Sequence, residues 1–485
     1  MKFSLFSLEL FLRSLLPVLV LSACTVGPDY KRPEVGASKN NVSYTRAEDK
    51  LTGVSLREKE GIDTMWWHVY GNDDLNKLID IALKNNPNIE TAEANLKAAQ
   101  ANVRAQQGFY FPTIQAGYTG QRVSPGATLP SNNNSVNPPD IYSLHTAQLS
   151  IGFVPDVFGA NKRAVESTKA LEKSAQYQLE ALKITVITNV ISLVTQEAGL
   201  AEQYRVLNDY VAKGQTILEH QRVMFEKGYL SRSDYAMQEV ALANAQQTEI
   251  ATKKALDQTR DMLAVLCGYY PSEQIIRIEL SNLKIPTELP KVVSSELINL
   301  RPDVRAAEEL VRSANAQIGV AYGNMLPQLS LGAAIGGAAG AVSGIFDAAS
   351  AFWLTTFGAT QTLFAGGTLN ARKDAAKYAA QASVAQYKNT VLTAFQGVAD
   401  TLYALDADAK NLGYTKRIEE SNAVMDRAAQ LQLKTGYLSE PNQLLVNQAY
   451  LISMTQRIQA QVNYICDTAA FYQVLGGGWV EKTSN

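Results

Sequence analysis

The sequence predicts an α+β membrane protein in which a unit of two strands and a long helical hairpin occurs twice in tandem. Three observations predict this class: landmarks that recur at a nearly constant offset, strands with two unlike faces, and helical stretches of about 70 residues. The 485 residues are 46% hydrophobic, and the formal net charge is −2. The chain can therefore bury a core, and it lacks the excess of Lys and Arg expected of a nucleic-acid partner.

The N-terminus has the pattern of a secretory leader. Lys2 and Arg13 precede an apolar run over residues 15–21, which ends in Leu21-Ser22-Ala23-Cys24. We predict a signal peptide over residues 1–23. The last four residues resemble a bacterial lipobox, which implies lipidation of Cys24 and, in a Gram-negative bacterium, sorting to the outer membrane. The alternative is a buried cysteine at the end of an apolar segment.

The mature chain contains two copies of one unit. Helical patterns that begin at Pro87 and Pro302 end before Pro112 and Pro327, and both proline pairs are offset by 215 residues. The segment Gly228-Tyr229-Leu230-Ser231 recurs as Gly436-Tyr437-Leu438-Ser439, at an offset of 208. Landmarks that recur in the same order at a nearly constant offset predict a duplication. We therefore expect an N-terminal segment over 24–70, a first repeat over 71–285 and a second repeat over 286–485.

Four segments alternate between apolar and small polar residues, as strands between unlike environments do. We predict strands at about 113–122, 144–154, 328–336 and 352–364. The environments could be core and water in a soluble sandwich, or lipid and a wet lumen, where strands run about 9–11 residues. The polar faces, rich in Gly, Ser and Thr, suit a lumen, and the long loop over 123–142 is rich in Pro, Asn and Ser.

Strands are also the only elements we expect to cross a membrane, because no apolar run of 18 or more residues follows the leader. Four strands cannot close a barrel, and an open sheet in lipid would leave two edges without hydrogen-bond partners. The membrane interpretation therefore requires several chains, and three chains would supply twelve strands.

Each strand pair is followed by a long helical hairpin, over about 157–268 in the first copy and 369–475 in the second. The outgoing helix of about 70 residues would be on the order of 100 Å long. Helices of this length are typical of coiled coils or helical tubes. At each Gly-Tyr-Leu-Ser segment the glycine ends one helix and a serine can cap the next.

An ordered set of short motifs resembles one family along essentially the whole mature chain. The set comprises the lipobox, Gly27-Pro28-Asp29-Tyr30-Lys31-Arg32-Pro33, Trp66-Trp67, Asn86-Pro87, Phe111-Pro112, Asp156-Val157-Phe158-Gly159, Arg301-Pro302-Asp303-Val304, Leu363-Phe364-Ala365-Gly366-Gly367 and Leu475-Gly476-Gly477-Gly478-Trp479. It looks like the outer membrane factor (TolC-like) family, in the lipoprotein branch that serves multidrug efflux pumps of the resistance–nodulation–division (RND) type.

The resemblance implies a homotrimer with a twelve-strand β-barrel in the outer membrane, continued by a twelve-helix periplasmic tunnel. A mixed equatorial domain, to which residues 24–70 and the C-terminus belong, would surround that tunnel. The implied partners are outer-membrane lipid, a periplasmic adaptor protein and an RND-type inner-membrane transporter. The chain would then be a passive exit duct for drugs or other small molecules.

The resemblance also implies two kinds of site at the helical turns. The tips that meet the adaptor would be Gly228, Tyr229, Leu230, Ser231, Gly436, Tyr437, Leu438 and Ser439. The periplasmic gate would involve Asp234 and, at the corresponding place in the second copy, Asn442. Because the second copy lacks the acid, we expect an unequal gate. The alternative for Asp234 is an acid favoured at a helix start by the helix dipole.

No motif for catalysis, cofactor binding or metal binding is present, since nucleophile elbows, phosphate loops and zinc spacings are all missing. We therefore expect neither an enzyme nor a cofactor, and we expect Cys267 and Cys466 to be packing thiols. Two alternatives to an efflux duct stay open. One is a type I protein secretion duct, and the other is a lipid-anchored coiled-coil scaffold without a pore.

Overall fold

The computed structural model describes residues 25–34, 46, 53, 55–58, 62–124, 141–286, 288–291 and 299–479. The predicted signal peptide, Cys24 and most of the loop predicted over 123–142 lie outside these residues. The chain divides into two compact units. The first consists of Met1–Pro33, Lys97–Ser174 and Glu308–Gln386, and the second of Glu34–Leu96, Ala175–Ala307 and Tyr387–Asn485. Each unit contains segments of both predicted repeats.

Six strands form two sheets among the described residues. They are β1 (Ser55–Glu58), β2 (Thr113–Val123), β3 (Tyr142–Phe153), β4 (Glu288–Lys291), β5 (Gln328–Ala339) and β6 (Ala351–Thr360). In the second unit, β1 pairs in parallel with β4. In the first unit, the other four strands form an antiparallel sheet with the order β2-β3-β5-β6. One copy contributes β2 and β3, and the other contributes β5 and β6.

The last strand is shorter than the prediction of 352–364, because β6 ends at Thr360. Leu363 and Phe364, which we expected in the strand, lie in the connection to the next helix and are exposed. Gly366 and Gly367 in this connection have φ angles of 58° and 84°, values that glycine adopts readily and that turn the chain out of the extended conformation.

Seven α-helices occur in the described part of the chain. They are α1 (Asp73–Asn85), α2 (Pro87–Gly108), α3 (Ala160–Glu226), α4 (Arg232–Leu266), α5 (Pro302–Gly323), α6 (Thr368–Lys434) and α7 (Glu440–Val474). The two outgoing hairpin helices, α3 and α6, have 67 residues each, and the two return helices, α4 and α7, have 35 each. The two copies are therefore equal in helix length.

Among the described helices, α3 alone is long and apolar enough to cross a membrane when only length and composition are considered. We expected no such segment, because no run of 18 or more apolar residues follows the leader. Its apolar window is 61% buried inside the protein. The apolar side chains of α3 lie in the core of the second unit, where Val190, Ile191 and Val194 pack with Ile458 and Ile465 of α7. This burial is typical of a core helix.

A short 3₁₀ turn over Trp66–Tyr70 anchors the second unit's core. The Trp66 ring stacks on Tyr472 of α7, with ring centroids 4.9 Å apart. The Tyr70 hydroxyl donates to the backbone oxygen of Ile465 at 3.3 Å. Burial of two large aromatic side chains attaches this segment to α7 by the hydrophobic effect and stacking.

An N-terminal strap, residues 25–33, packs against α3 and α5 in the first unit. The Val26 amide donates to the Phe158 oxygen at 3.2 Å. Buried Arg163 donates to the Val26 and Gly27 carbonyl oxygens at 3.3 Å and to Asp29 Oδ1 at 2.7 Å. These bonds fix the strap at the start of α3.

Candidate functional site

The four-stranded sheet of the first unit has one continuous apolar face. Its register places Ile114 opposite Ile151, Ile151 opposite Ala333, and Ile335 opposite Trp353. The same face carries Ala116, Tyr118, Ala147, Leu149, Phe153, Leu329, Leu331, Phe357 and Ala359. Most of these side chains are exposed. A contiguous exposed apolar face of this extent marks a surface that another apolar medium covers.

The opposite face of the sheet is made mostly of small and polar side chains. One row across the sheet runs through Thr113, Gly152, Gly332 and Thr356. The remaining positions include Gln115, Gly117, Thr119, Gln148, Ser150, Ser330, Gly358 and Thr360. The register keeps the two sets on opposite faces over most of the sheet. It also places Leu144, Phe352 and Leu354 on the small polar face and Thr355 on the apolar face, so the alternation predicted from the sequence holds only in part.

Aromatic side chains lie at both ends of the strands. Phe109, Tyr110 and Phe111 precede β2, and Phe364 follows β6, all of them exposed at the end where the helices begin. At the opposite end, exposed Tyr142 begins β3, and exposed Phe346 lies in the connection between β5 and β6. Two aromatic girdles around an apolar band are typical of strands that cross a membrane.

The first helical turn is built on Gly228 and Ser231. Gly228 has a φ of 75° and ends α3, and exposed Tyr229 follows it. Ser231 caps α4: its hydroxyl accepts from the Asp234 amide at 3.0 Å and donates to Asp234 Oδ2 at 2.8 Å. Asp234 therefore has a local bond to the hydroxyl that caps the start of α4.

The second helical turn has the same shape but different chemistry. Gly436 has a φ of 80°, and Tyr437 is 87% exposed. Ser439 makes no side-chain cap, and Pro441 occupies the first turn of α7. Asn442 is exposed in that turn. Both predicted gate residues are thus exposed, and Asp234 is also bonded to the serine that caps its helix.

Comparison with known proteins identifies the family. The family model for outer membrane efflux proteins matches residues 78–269 and 293–477. The chain belongs to this family. The chain is 27% identical to outer membrane protein OprJ of Pseudomonas aeruginosa, over 97% of this chain and 96% of that protein. It is 24% identical to the toluene efflux pump outer membrane protein TtgC of Pseudomonas putida, over 96% of this chain and 94% of that protein.

Solved structures of channels have the same fold as this efflux protein. The Campylobacter jejuni CmeC outer membrane channel superposes with a TM-score of 0.84 at 20% identity, covering 95% of this chain and 96% of that one. The open state of the Neisseria gonorrhoeae MtrE outer membrane channel superposes with a TM-score of 0.78 at 24% identity, covering 95% and 100%. The resemblance seen in the sequence is confirmed, and the protein is an outer-membrane component of an efflux system.

Two side-chain clusters near the efflux protein's tips were not predicted from the sequence. Asp426 of α6 is 4% exposed and accepts from Asn447 Nδ2 at 3.0 Å, Gln430 Nε2 at 2.7 Å and Gln443 Nε2 at 3.4 Å. The offset of 208 places Leu218 at the corresponding position of the first copy. The cluster could have been predicted from this difference, because an acid occupies a position in one repeat where the other repeat has an apolar residue.

The second missed feature links the two hairpins. His220 of α3 has its Nδ1 atom 3.1 Å from Glu440 Oε2 at the start of α7. The contact becomes an ion pair only when the imidazole is protonated. Its partners belong to different repeats, 220 residues apart in the chain, so no local sequence pattern could predict it.

A carboxyl pair lies farther from the tips, between α6 and α7. Burial and a hydrogen bond with the Asp467 carboxyl raise the pKa of Asp408 to about 7. The Oδ2 atom of Asp408 is buried, and no described group other than the Asp467 carboxyl is placed to donate a hydrogen bond to it. Two carboxyl groups this close favour sharing one proton, because two adjacent negative charges repel.

Proposed function

We propose that the protein is the outer-membrane channel subunit of a tripartite efflux pump and works as a homotrimeric, passive exit duct for drugs or other small molecules. The observation that carries this proposal is the open sheet of the first unit. Its strands of 10–12 residues have the length that crosses a membrane, with an apolar face for lipid and a small polar face for a wet lumen.

Three copies account for the open sheet and for the helices together. Four strands per chain would give a closed twelve-strand barrel without free edges, which lipid requires because it offers no hydrogen bonds. Four hairpin helices per chain would likewise give a twelve-helix periplasmic tunnel. The 3₁₀ turn over Trp66–Tyr70 and the β1–β4 pair would belong to the equatorial domain around it.

A lipid anchor at Cys24 fits the position of the strap. Val26 is hydrogen-bonded to Phe158, five residues after the end of β3 at Phe153. Only one residue separates Cys24 from Val26 in the sequence, so an anchor at Cys24 would have a short link to the end of β3. Acyl chains on Cys24 would then reach the periplasmic leaflet. Mass spectrometry of the mature N-terminus tests this, and an unmodified Cys24 would refute it.

The two turns are the proposed contacts for the periplasmic adaptor, which would join the duct to an inner-membrane RND-type transporter. Tyr229 and Tyr437 are 78% and 87% exposed, and each lies between a glycine turn and the next helix. Large exposed aromatic side chains next to a glycine turn are suitable anchors for a partner. Replacing both tyrosines by Ser should abolish efflux in cells while leaving trimers and conductance intact.

The proposed gate lies just inside the turns, at Asp234 and Asn442. Its test must separate a gate from a helix cap, because Asp234 also bonds to Ser231. Asp234→Ala removes the carboxylate and its bond, whereas Ser231→Ala removes the cap and keeps the carboxylate. A gate role predicts a raised resting conductance in planar bilayers for Asp234→Ala alone. Equal conductance in the two variants would reduce Asp234 to a capping residue.

The function as a whole is tested by purification and bilayer recording. Native mass spectrometry in detergent should give a trimer, and the trimer should conduct ions in planar bilayers. Deletion of the gene should sensitise cells to small antibiotics. A non-conducting monomer would support the scaffold alternative, and a conducting trimer whose loss blocks only protein export would support a secretion duct.

A further inference from the structure

Two basic side chains lie on the apolar face of the four-stranded sheet. Arg122 of β2 and His145 of β3 are the basic residues of the four described strands, which contain no acidic residue. The register places both on the face that carries Ile114 and Ile151. We propose that Arg122 and His145 bind a phosphate group in the headgroup of a lipid of the outer leaflet. The inference rests on the proposed barrel and adds to it one lipid-binding site per chain.

The His145 ring is held in place by Tyr118. Its Nδ1 atom lies 2.8 Å from the Tyr118 hydroxyl, and the two rings stack with centroids 6.2 Å apart. Gly120 lies directly opposite His145 and leaves the space in which the rings meet, because a Cβ atom there would lie 3.1 Å from Nδ1 and 3.2 Å from the hydroxyl. When the hydroxyl donates to Nδ1, the Nε2 atom carries the ring hydrogen and becomes a donor for a ligand.

Arg122 is the diagonal neighbour of His145. It follows Gly120 by two residues on the same face of β2, and diagonal neighbours on adjacent strands are about 7–8 Å apart, within reach of a long side chain. Arg122 is exposed, and its side chain has no ion pair or hydrogen bond within the described ranges. Ser143, which pairs with Arg122, adds a hydroxyl on the same face. The guanidinium is therefore a charge without a counter-charge from the described part of the chain.

The height of the two residues in the proposed barrel matches the outer headgroup layer. A strand rises about 3.3 Å per residue and barrel strands tilt by about 35–45°, so Arg122 lies about 21–24 Å beyond Thr113 along the barrel axis. The aromatic girdle at Phe109–Phe111 precedes Thr113 at the helix end of the sheet. The apolar band of a membrane barrel is about 25 Å tall between its two interfaces. Arg122 therefore lies at the far interface, and His145 lies about 5 Å closer to the membrane centre.

A lipid phosphate accounts for the charge and for the apolar surface beside it. A guanidinium group binds phosphate through two parallel hydrogen bonds. Basic sites at the headgroup level of membrane proteins bind anionic lipid headgroups. Towards the membrane centre the same face continues with Tyr118, Ala147 and Leu149, where the acyl chains of that lipid would lie. A free phosphate ion would use the two donors but not this apolar surface, so a lipid is the ligand that fits the whole site.

Native mass spectrometry of trimers in detergent tests the site with bisphosphorylated lipid A and with the same glycolipid stripped of its phosphates. The unsubstituted protein should bind the phosphorylated lipid about tenfold more tightly, because hydrogen bonds to charged groups are strong. Arg122→Gln should remove this preference, and His145→Gln should reduce it to about threefold. Tyr118→Phe, which removes the hydroxyl that positions the ring, should have the same effect as His145→Gln. The matched control is Arg277→Gln, which removes an exposed arginine outside the sheet and should keep the full preference.

An undiminished preference in Arg122→Gln overturns the site, and so does equal binding of the two lipids by the unsubstituted protein. If Arg122→Gln does not form trimers, full preference in both His145→Gln and Tyr118→Phe overturns the site instead.

An excess of inorganic phosphate separates the two sources of the phosphate group. Lipid binding should be unchanged by it, and loss of the lipid under this competition overturns a lipid ligand in favour of a free ion. An unsubstituted protein that is monomeric, or that does not conduct in planar bilayers, fails the proposed function instead. The failure of the lipid site and the failure of the channel are therefore distinguishable.

Discussion

Asp426→Ala should loosen the second hairpin near its tip. The carboxylate is 4% exposed and accepts from the side-chain amides of Asn447, Gln430 and Gln443. The variant leaves the buried Asn447 amide without this acceptor, whereas exposed Gln430 and half-buried Gln443 can turn to water. One buried unsatisfied donor costs about 1–3 kcal/mol. We expect this loss in the unfolding free energy, together with a raised resting conductance in planar bilayers.

The matched control is Asp400→Ala on the same helix. Asp400 also accepts from a glutamine amide, that of Gln396 at 3.3 Å, but it is exposed, so its loss should change stability by less than about 0.5 kcal/mol. Thermal melting of detergent trimers and single-channel recordings should separate the two variants. Equal melting temperatures and equal resting currents would refute the idea that the buried amide cluster holds the hairpin.

Three further predictions concern the strap, the carboxyl pair and the aromatic anchor. Gly27→Ala should detach the strap and make it faster to cleave with trypsin, because the added Cβ would lie 2.5 Å from Gly319 Cα at a φ of 96°. Gly108→Ala is the control, since its Cβ would meet no atom within 4 Å and should leave the cleavage rate unchanged. For Asp408, the folded pKa of about 7 exceeds the unfolded value of about 3.9, so this group's contribution to stability falls as pH rises from about 4 to 7. Melting of Asp408→Asn at pH 5 and 8 should therefore change less than melting of the unsubstituted protein, and identical pH profiles would exclude the shared proton. Trp66→Ala should lower the unfolding free energy by about 3–5 kcal/mol in denaturant titrations, since Trp66 is fully buried and stacked, and a loss below about 1 kcal/mol would contradict that packing.

Periodic features of the fold could be predicted from the sequence. The alternation over 328–336 identified β5, and long runs of helix-forming residues identified both outgoing hairpin helices, because period and helix propensity are local properties. The glycine turns were also predictable, since Gly228 and Gly436 supply a backbone conformation that other residues rarely adopt.

Contacts between distant segments could not be predicted in this way. The His220–Glu440 contact and the stacking of Trp66 on Tyr472 depend on how helices from the two repeats pack, which no single segment encodes. The end of β6 at Thr360 was also mispredicted, because Leu363 continues the apolar alternation after the backbone has left the sheet. Side-chain pattern and backbone pairing are separate properties, and only the first is visible in a sequence.

The equal lengths of the two helical hairpins have a consequence for symmetry. Each chain carries two hairpins of 67 and 35 residues that end in the same Gly-Tyr-Leu-Ser turn. In the proposed trimer, six nearly equivalent ends would then surround the axis, although the chains obey only threefold symmetry. A partner that reads the shared turn could occupy six positions. A partner that binds Asp234 beside its Ser231 cap, or Glu440 after the non-capping Ser439, would find only three positions. The number of partners per trimer therefore shows which of these features is recognised.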